Sequence, residues 1–395
     1  MDRRYLRDIA DIQTGPFGSQ LHKEDYVDGG TPIVTVEHLG SRVFTEQNLP
    51  TVSDEDKARL SKYVLKKGDI VFSRVGSVDR CSYVDAAHEG WMFSGRCLRV
   101  RPNEEIDPLF LYYFFCLEET KQFVRNIAVG ATMPSINTKL LGEVEVKYPS
   151  MTEQRKIVAL LSAIDDKIET NRRINDNLEQ QAQSYFQELF VDNADPEWDT
   201  GTISDLGAVV GGSTPSKAKP EYYTESGIAW ITPKDLSINK SKFISHGEND
   251  ITELGLKNSS AAIMPEGTVL FSSRAPIGYI AIAAGEVTTN QGFKSVVPKP
   301  EIGTPFVYFF LKNNLPVIEG MASGSTFKEV SGSTMKNIPA VIPDAETLAR
   351  FNEFCSPIFA QQRVLEEQCQ SLAALRDNLL PKLMSGEIDV SDIQL

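Results

Sequence analysis

The chain has 395 residues, 41% of them apolar, so it can bury sizeable cores, and two domains are the natural expectation. Its formal net charge of −14 argues at first sight against nucleic acid. The charge is uneven, because residues 151–199 and 344–395 carry −6 and −5 of it. The remaining segments are near neutral, and a near-neutral domain can still present a basic face.

Several classes of protein are disfavoured by missing patterns. No apolar run is long enough to cross a bilayer, and the N-terminal residues lack the apolar core of a signal peptide, so we expect a cytoplasmic protein with no membrane partner. The five cysteines form no CxxC pair and the four histidines are scattered, which predicts reduced thiols and no metal site. Phosphate-binding, serine-hydrolase and zinc-protease motifs are missing, which predicts a chain without catalysis or cofactor of its own.

The first domain is predicted to span residues 1–150. Short β-rich runs separated by Gly- and Pro-rich turns alternate there with one apolar helical stretch that begins after a proline, which indicates an α+β domain. The predicted strands are Thr31–Val36, Asp69–Phe72, Arg96–Arg101 and Glu143–Tyr148, and the predicted helix is Pro108–Phe123.

Residues 151–192 are predicted to form one long helix. Apolar residues recur there at alternating steps of four and three, the heptad spacing that keeps one side of a helix facing a partner. The predicted seam is Ile157, Leu161, Ile164, Ile168, Asn171, Asn175, Leu178 and Leu189. Because a narrow apolar seam is poorly stable alone, this helix needs a mate, and the two asparagines would set its register.

The second domain is predicted to span residues 193–343, with Asn193–Gly201 as its linker. Its predicted strands are Ile228–Ile231, Thr268–Phe271, Tyr279–Ala284, Lys294–Pro298 and Ile338–Ile342, and its helix is Pro305–Leu311. The mate of the first long helix is predicted at residues 344–386, with Pro381 kinking or ending it, before a tail at 387–395. Its seam is Phe351, Ile358, Leu365, Leu372 and Leu379.

The chain repeats itself. Tyr26 and Thr35 match Tyr223 and Thr232 at an offset of 197, and the run from Gly68 to Ser73 matches that from Gly267 to Ser272 at 199. The predicted fold is therefore α+β: two similar globular domains separated by an antiparallel coiled coil of two long helices, with pseudo-two-fold symmetry. The open alternative is two ordinary amphipathic helices, each packed on its own domain.

Two kinds of loop carry candidate DNA-contacting residues. One follows the matched strands and places Ser next to Arg; Arg is the usual reader of guanine edges. The other comprises polar Gly-bearing turns, with amides suited to adenine in the second domain. The candidates are Gln20, His22, Lys23, Ser73, Arg74, Arg80, Arg96, Lys217, Lys219, Lys234, Ser273, Arg274, Asn290 and Gln291. The alternative for each Arg is a tie to a carboxylate at a strand end, and each Gly-bearing loop alone is a turn.

Together these residues resemble the specificity subunit of a type I restriction–modification system. The resemblance covers essentially the whole chain and depends on the order of several motifs, most of which have a counterpart in the other half. The motifs are Gly211-Gly212-Ser213-Thr214-Pro215, Trp230-Ile231-Thr232-Pro233-Lys234-Asp235-Leu236, Thr289-Asn290-Gln291-Gly292-Phe293, Glu153-Gln154-Arg155-Lys156-Ile157 and the closing LLPKLMSGE.

The resemblance implies a non-catalytic subunit that binds double-stranded DNA. Each domain would be a target recognition domain for one half of a split sequence, and the helices would set the gap. About 35 helical residues at ~1.5 Å each make a rod of roughly 50 Å, or about 15 base pairs. The helices would also bind two copies of an adenine methyltransferase subunit, and ATP-dependent restriction subunits could join the assembly.

Two other functions remain open at this point. The first is a non-catalytic scaffold with duplicated protein-binding domains. The second is a fused enzyme whose site follows none of the motifs above. Sequence-selective binding to duplex DNA would exclude the first, and inactivity of the isolated chain would exclude the second.

Overall fold

The computed structural model describes residues 2–17, 20–324 and 328–392, apart from the side chain of Lys23. The chain divides into two compact units: residues 1–166 with 372–395, and residues 167–371. Each unit therefore contains one globular domain and part of each of two long helices. No helix in the described residues is both long enough and apolar enough to span a membrane.

In its described residues, unit 1 has ten short strands and five short α-helices before the first long helix. The strands are β1 (Asp2–Tyr5), β2 (Ala10–Thr14), β3 (Tyr26–Val27), β4 (Thr31–Val34), β5 (Thr51–Val52), β6 (Ile70–Ser73), β7 (Cys81–Tyr83), β8 (Met92–Phe93), β9 (Cys97–Pro102) and β10 (Glu145–Tyr148). The helices are α1 (Leu6–Ile9), α2 (Asp54–Arg59), α3 (Pro108–Cys116), α4 (Glu118–Ile127) and α5 (Thr138–Gly142). The first long helix, α6, is Met151–Gln187.

Unit 2 repeats this order after α6. Its strands are β11 (Asp199–Thr202), β12 (Gly207–Gly211), β13 (Tyr223–Thr224), β14 (Ile228–Ile231), β15 (Phe243–Ile244), β16 (Asn249–Ile251), β17 (Val269–Ser273), β18 (Ile277–Ala283), β19 (Thr288–Thr289), β20 (Lys294–Pro298) and β21 (Pro339–Ile342). Its helices are α7 (Ile203–Leu206), α8 (Pro233–Ile238), α9 (Glu253–Lys257), α10 (Thr304–Asn313), α11 (Leu315–Gly320), α12 (Gly332–Lys336) and the second long helix α13 (Ala345–Ser385).

The predicted repeat is confirmed by the sheets. In unit 1 the strand orders are β2-β9-β6-β7, β3-β5-β4-β8 and β1-β10. In unit 2 the matching orders are β12-β20-β17-β18-β15, β13-β16-β14-β19 and β11-β21. The strand β15 is an addition, since it extends the second domain's main sheet by parallel pairing with β18.

Each domain is built around an apolar helix. Proline begins the apolar part of that helix in both domains, and the helices α3 and α10 are buried almost throughout. In unit 1 the core includes Ile157 and Leu161 of α6 and Leu383 of α13. In unit 2 the core includes Phe186 of α6 and Phe351 of α13. The long helices therefore complete the cores of both domains.

The two long helices pack against each other in opposite directions. In unit 1, Arg376 Nη1 donates to Asp165 Oδ1 at 2.8 Å. In unit 2, Asn171 Nδ2 donates to Gln368 Oε1 at 3.1 Å, and farther along α6 Asn175 Nδ2 lies 3.5 Å from the carbonyl oxygen of Gln362. Because partner numbers on α13 fall as numbers on α6 rise, the pairing is antiparallel.

The predicted seam residues are not buried equally. Several are closed off from solvent, whereas Ile164, Asn175, Leu178, Leu372 and Leu379 are only partly buried. Next to Leu379, the side chain of Leu380 is buried instead. The seam is thus shared between helix–helix and helix–domain packing, and both alternatives raised from the sequence hold in part.

Two sequence expectations are corrected in part, namely a kink or an end of the second long helix at Pro381 and a linker over Asn193–Gly201. Pro381 does not end α13, which runs on to Ser385 and stops before Gly386, whose φ of +78° suits glycine. Packing of Leu380 and Leu383 in the unit 1 core holds the helix across the proline. The predicted linker is also too long, because Asp199–Thr202 pairs with β21 as a strand. Its polar composition concealed that pairing.

Candidate nucleic-acid interface

In the second domain, the strand β17 ends in a corner formed by Ser273 and Arg274. Ser273 is fully buried, its backbone N–H donates to the carbonyl oxygen of Gly292 at 2.7 Å, and its hydroxyl donates to the same oxygen at 3.0 Å. The hydroxyl is therefore used inside the fold. It holds the corner against the amide-bearing turn and leaves the next residue to face outward.

Arg274 follows at the surface with 37% of its side chain exposed. Its Nη1 lies 3.5 Å from Glu329 Oε2, and Lys294 Nζ lies 3.7 Å from Glu329 Oε1. This carboxylate matches the structural alternative considered for Arg274. Two cations share one carboxylate, however, so the cluster keeps a net positive charge that can meet a phosphate or a base edge.

The first domain has a related corner at the end of β6, with its arginine one repeat position earlier, because Arg74 corresponds to Ser273 and Val75 to Arg274. Ser73 is buried and its hydroxyl donates to the carbonyl oxygen of Val75 at 2.7 Å. Arg74 Nη1 donates to the carbonyl oxygen of Gly95 at 3.2 Å, and its guanidinium carbon lies 6.0 Å from the ring centroid of Phe17. A carbonyl orients the guanidinium without neutralising it.

Glycines bring a second loop against each corner. A Cβ on Gly15 would overlap the carbonyl oxygen of Ser94, and one on Gly212 would overlap that of Asn290. These glycines lie at equivalent positions of the repeat, so the backbone near each domain's start must approach the turn before β9 or β20. The Gly-bearing loops therefore meet the Ser-Arg corners in both domains.

In the second domain the amide turn is ordered by its own side chains. Asn290 Oδ1 accepts from the backbone N–H of Gly292 at 2.8 Å, which closes the turn. Gln291 is exposed, and its Oε1 accepts a hydrogen bond from the hydroxyl of Thr214. Asn290 thus shapes the turn, whereas the amide group of Gln291 faces solvent beside Thr214.

The other candidates of the first domain have different surroundings. Gln20 Oε1 accepts from the hydroxyl of Tyr63 at 2.7 Å, which ties it to the core. His22 is exposed at the start of a short 3-10 turn, and the side chain of Lys23 lies outside the described residues. Arg80 donates to the carbonyl oxygen of Leu39. Arg96 is exposed and makes no side-chain hydrogen bond or ion pair with the described residues.

The three candidate lysines of the second domain are exposed. Lys219 Nζ lies 5.2 Å from the ring centroid of Tyr222, and Lys234 Nζ lies 2.5 Å from Glu248 Oε2. Lys217 follows the Gly212 loop directly. Of the three, Lys217 is the one whose side chain makes no hydrogen bond, ion pair or cation–π contact with the described residues.

A further segment at each corner was not predicted as part of the site. The backbone N–H of Ile136 donates to the carbonyl oxygen of Arg74 at 2.9 Å, and that of Val330 donates to Ser273 at 3.0 Å. These segments occupy equivalent positions of the repeat. The matching Gly130 and Gly324 in the sequence were the signal that could have found them. The adjoining residues 325–327 lie outside the described residues.

The corners offer a guanidinium group in each domain and the amide of Gln291 in the second, which suit phosphate and base edges. Within residues 2–17, 20–324 and 328–392, no group of three or more His, Cys, Asp or Glu side chains could hold a metal ion. The arrangement is one of hydrogen-bond donors on rigid strand ends, repeated once per domain.

Comparison with known proteins identifies the family. The model for the type I restriction modification DNA specificity domain matches residues 1–180 and again 196–367. The chain is 38% identical over 194 residues to the MjaIX specificity subunit of Methanocaldococcus jannaschii, a match covering 47% of this chain and 45% of that protein. It is 25% identical over 407 residues to the HindI specificity subunit of Haemophilus influenzae, covering 83% and 88% of the two chains.

A solved structure shares the fold. The type I restriction-modification system S subunit from M. genitalium aligns with a TM-score of 0.60 at 18% identity, covering 97% of this chain and 95% of that one. Together with the family match in both halves, this explains why each domain has a corner at the end of the matched strand, β6 or β17. The chain belongs to the family of type I restriction–modification specificity subunits.

Proposed function

We propose that each domain reads one half of a bipartite DNA target and that the paired helices set the unread gap and dock methyltransferase subunits. The observation that carries this proposal is the duplication of the Ser-Arg corner. In both domains the matched strand, β6 or β17, ends in a buried serine followed by an arginine, and a glycine-bearing loop approaches the corner, although the arginine stands one repeat position later in the second domain. Two DNA-binding domains of the same fold suit two half-sites.

Differences between the two corners support different half-sites. Arg74 is oriented by a backbone carbonyl and lies near the exposed ring of Phe17, whereas Arg274 shares Glu329 with Lys294. The amide of Gln291 adds a donor and an acceptor in the second domain. Because base readout depends on the donor and acceptor pattern, the two domains would select different base pairs.

The outward faces of the long helices suit partner docking. Apolar side chains away from the seam stay exposed there, at Ile174, Phe354, Val364 and Leu375. The same helical segments carry most of the chain's net negative charge. Such charge belongs away from phosphate and on a protein-binding surface. We propose that two copies of an adenine methyltransferase subunit bind these faces, and that catalysis belongs to them and to associated restriction subunits.

The test is reconstitution with the methyltransferase subunits followed by gel-shift titration over random duplexes, with adenine methylation mapped on the selected DNA. We expect a bipartite sequence with an unread gap. Binding with no preferred duplex, even with the partners present, would favour the scaffold instead. Methyl transfer or cleavage by the isolated chain would contradict a non-catalytic subunit.

A further inference from the structure

A buried lysine joins the second domain to both long helices. Lys242 lies immediately before β15, and only 7% of its surface is exposed. Its Nζ donates to Glu179 Oε2 of α6 at 2.7 Å and to Gln362 Oε1 of α13 at 2.8 Å. One ammonium group thus contacts the domain and each helix of the pair.

The lysine sits in an aromatic enclosure. Its Nζ lies 3.5 Å from the ring centroid of Phe359, 4.4 Å from that of Tyr308 and 5.2 Å from that of Phe309. Burial lowers the pKa of Lys242 to about 8, and the Glu179 carboxylate offsets only part of that effect. The ammonium therefore remains protonated at neutral pH, where cation–π contacts and the ion pair stabilise it.

Backbone groups complete the contact. The carboxylate of Glu366 on α13 accepts from the backbone N–H of Lys242 at 2.8 Å and from that of Phe243 at 3.0 Å. Glu179 also accepts from Lys312 Nζ at 2.6 Å. We call Lys242, Glu179, Gln362 and Glu366 the unit 2 latch.

A related contact occupies the equivalent place in unit 1. The carbonyl oxygen of Arg42 accepts from the backbone N–H of Tyr83 at 2.7 Å, as that of Lys242 does from Ile282 at 2.7 Å. Arg42 forms an ion pair with Asp166 of α6. Both domains thus send a cation from the same backbone position to a carboxylate on a long helix.

A tyrosine of each central helix joins the contact, although Tyr113 is the sixth residue of α3 and Tyr308 the fifth of α10. Tyr113 of α3 donates to Asp165 Oδ2 at 2.7 Å, and Asp165 also pairs with Arg376 of α13 at 2.8 Å. Tyr308 of α10 donates to Glu179 Oε1 at 3.2 Å. A polar docking contact therefore occurs in both units, although Asp165, Asp166 and Glu179 all lie on α6 and are not repeat equivalents.

A polar contact of this kind specifies position more strictly than apolar packing. Apolar side chains can slide or tilt against each other with small losses, whereas a buried ion that loses its partner pays a desolvation penalty. Displacing the second domain by one helical turn would leave Lys242 and two carboxylates unpaired. The latch therefore favours one register and one angle of the domain on its helices.

We propose that the unit 2 latch is a specificity-determining positioning element, which fixes how the second domain stands on the helix pair and so which gap length is accepted. This rests on the proposed function. Lys242 acts through the domain it positions and need not touch DNA. Loosening the latch should widen the range of accepted gaps without changing either half-site.

The experiment compares the wild-type complex with Lys242→Met in complexes reconstituted with methyltransferase subunits. Substrates are duplexes carrying both mapped half-sites with the mapped gap, or with one base pair more or fewer. We expect the preference for the mapped gap to fall about tenfold in the variant, with half-site preference unchanged. Lys240→Met is the matched control, because its ammonium is exposed over Tyr279, and we expect its gap preference to equal that of wild type.

Glu366→Gln provides a second variant, since it removes one charge of the latch and retains an acceptor. Glu179 keeps Lys312 and Tyr308 as partners in either variant, so the domain retains part of its docking. Reduced gap discrimination in either folded variant supports the proposal. Wild-type discrimination in the folded variants overturns it, even where thermal stability falls. Failure of the proposed function itself would show separately, as a wild-type complex with no bipartite preference.

Discussion

The two arginines at the strand ends lie one repeat position apart, because Arg74 corresponds to Ser273, and they have different surroundings. Arg74 donates to a carbonyl oxygen, so its charge is uncompensated by that contact, whereas Arg274 lies 3.5 Å from a carboxylate oxygen of Glu329. Exposed pairs of the second kind contribute little to stability, because water screens them. Arg274 can therefore exchange Glu329 for a DNA group at small cost.

Arg274→Ala should weaken binding of the target by about 1–3 kcal/mol and relax one base position, if the guanidinium reads a base edge. If it holds a phosphate, binding should weaken equally for all sequences. Gel-shift titration against single-base variants of the second half-site distinguishes the two. Lys299→Ala is the control, because Lys299 is exposed just beyond the opposite end of β20. Unchanged affinity for Arg274→Ala would assign Arg274 a structural role only.

Gly211 and Gly212 are neighbours in the chain, but only Gly212 is closely approached by another loop, so Gly211 serves as the control for a substitution at Gly212. A Cβ at Gly212 would overlap the backbone of Asn290 and Thr289, whereas one at Gly211 would meet only Lys294 Cδ, at 4.0 Å. Gly212→Ala should lower the free energy of unfolding by about 1–3 kcal/mol and weaken binding of the second half-site, because the loop must move away. Gly211→Ala should leave both nearly unchanged. Denaturant titration and gel shift measure the two effects, and equal effects would contradict the close approach.

At the scale of elements, the long helices pack against each other and against the domains. Rings of Tyr185 and Phe186 on α6, and of Phe190 just after it, surround Phe351 of α13, with centroids between 5.1 and 6.0 Å. Farther along, the asparagines Asn171 and Asn175 replace apolar seam residues. Such polar seam positions set register at a cost in stability, whereas the aromatic cluster supplies the stability.

Phe351→Ala should therefore destabilise unit 2 by about 3–5 kcal/mol, because it leaves a cavity in a fully buried cluster. Phe354→Ala is the matched control three residues later on α13, where the ring is 41% exposed. We expect a clearly smaller loss there. Thermal or denaturant unfolding of both variants is the measurement. Similar losses would indicate that the seam is placed on the wrong face of α13.

At the scale of the whole molecule, the helix pair should determine the gap between half-sites. Deleting residues 167–173 and 367–373 removes one heptad from each helix and retains the Asp165–Arg376 pair and the unit 2 latch. Seven helical residues span ~10 Å, so the unread gap should shorten by about three base pairs. Methylation mapping reads the result. Altered half-sites with an unaltered gap would refute the role of the helices as a spacer.

Residue order and pattern predicted the architecture well because its signals are local. Heptad spacing revealed α6 and α13, and strands such as Ile228–Ile231 and Lys294–Pro298 have the predicted bounds. Strands of two residues, such as β3 and β8, carry no alternation and were missed. The strands β1 and β11 were missed because their polar residues form strands only through pairing with β10 and β21.

The candidate site was predicted only in outline. Arg74 and Arg274 are where the repeat suggested, but Ser73 and Ser273 are buried and support the corners. The segments around Ile136 and Val330 joined the corners only in the structure.

The sequence alone determined that the chain is a duplicated domain–helix unit. Heptad periodicity is a pattern of nearby residues, and the internal matches appear when the chain is compared with itself. Only the tertiary structure decided which polar groups face solvent, which are buried, and that Lys242 contacts both helices. Those outcomes depend on residues more than 60 positions apart in the chain, and their pairing energy exists only once the backbone has brought them together.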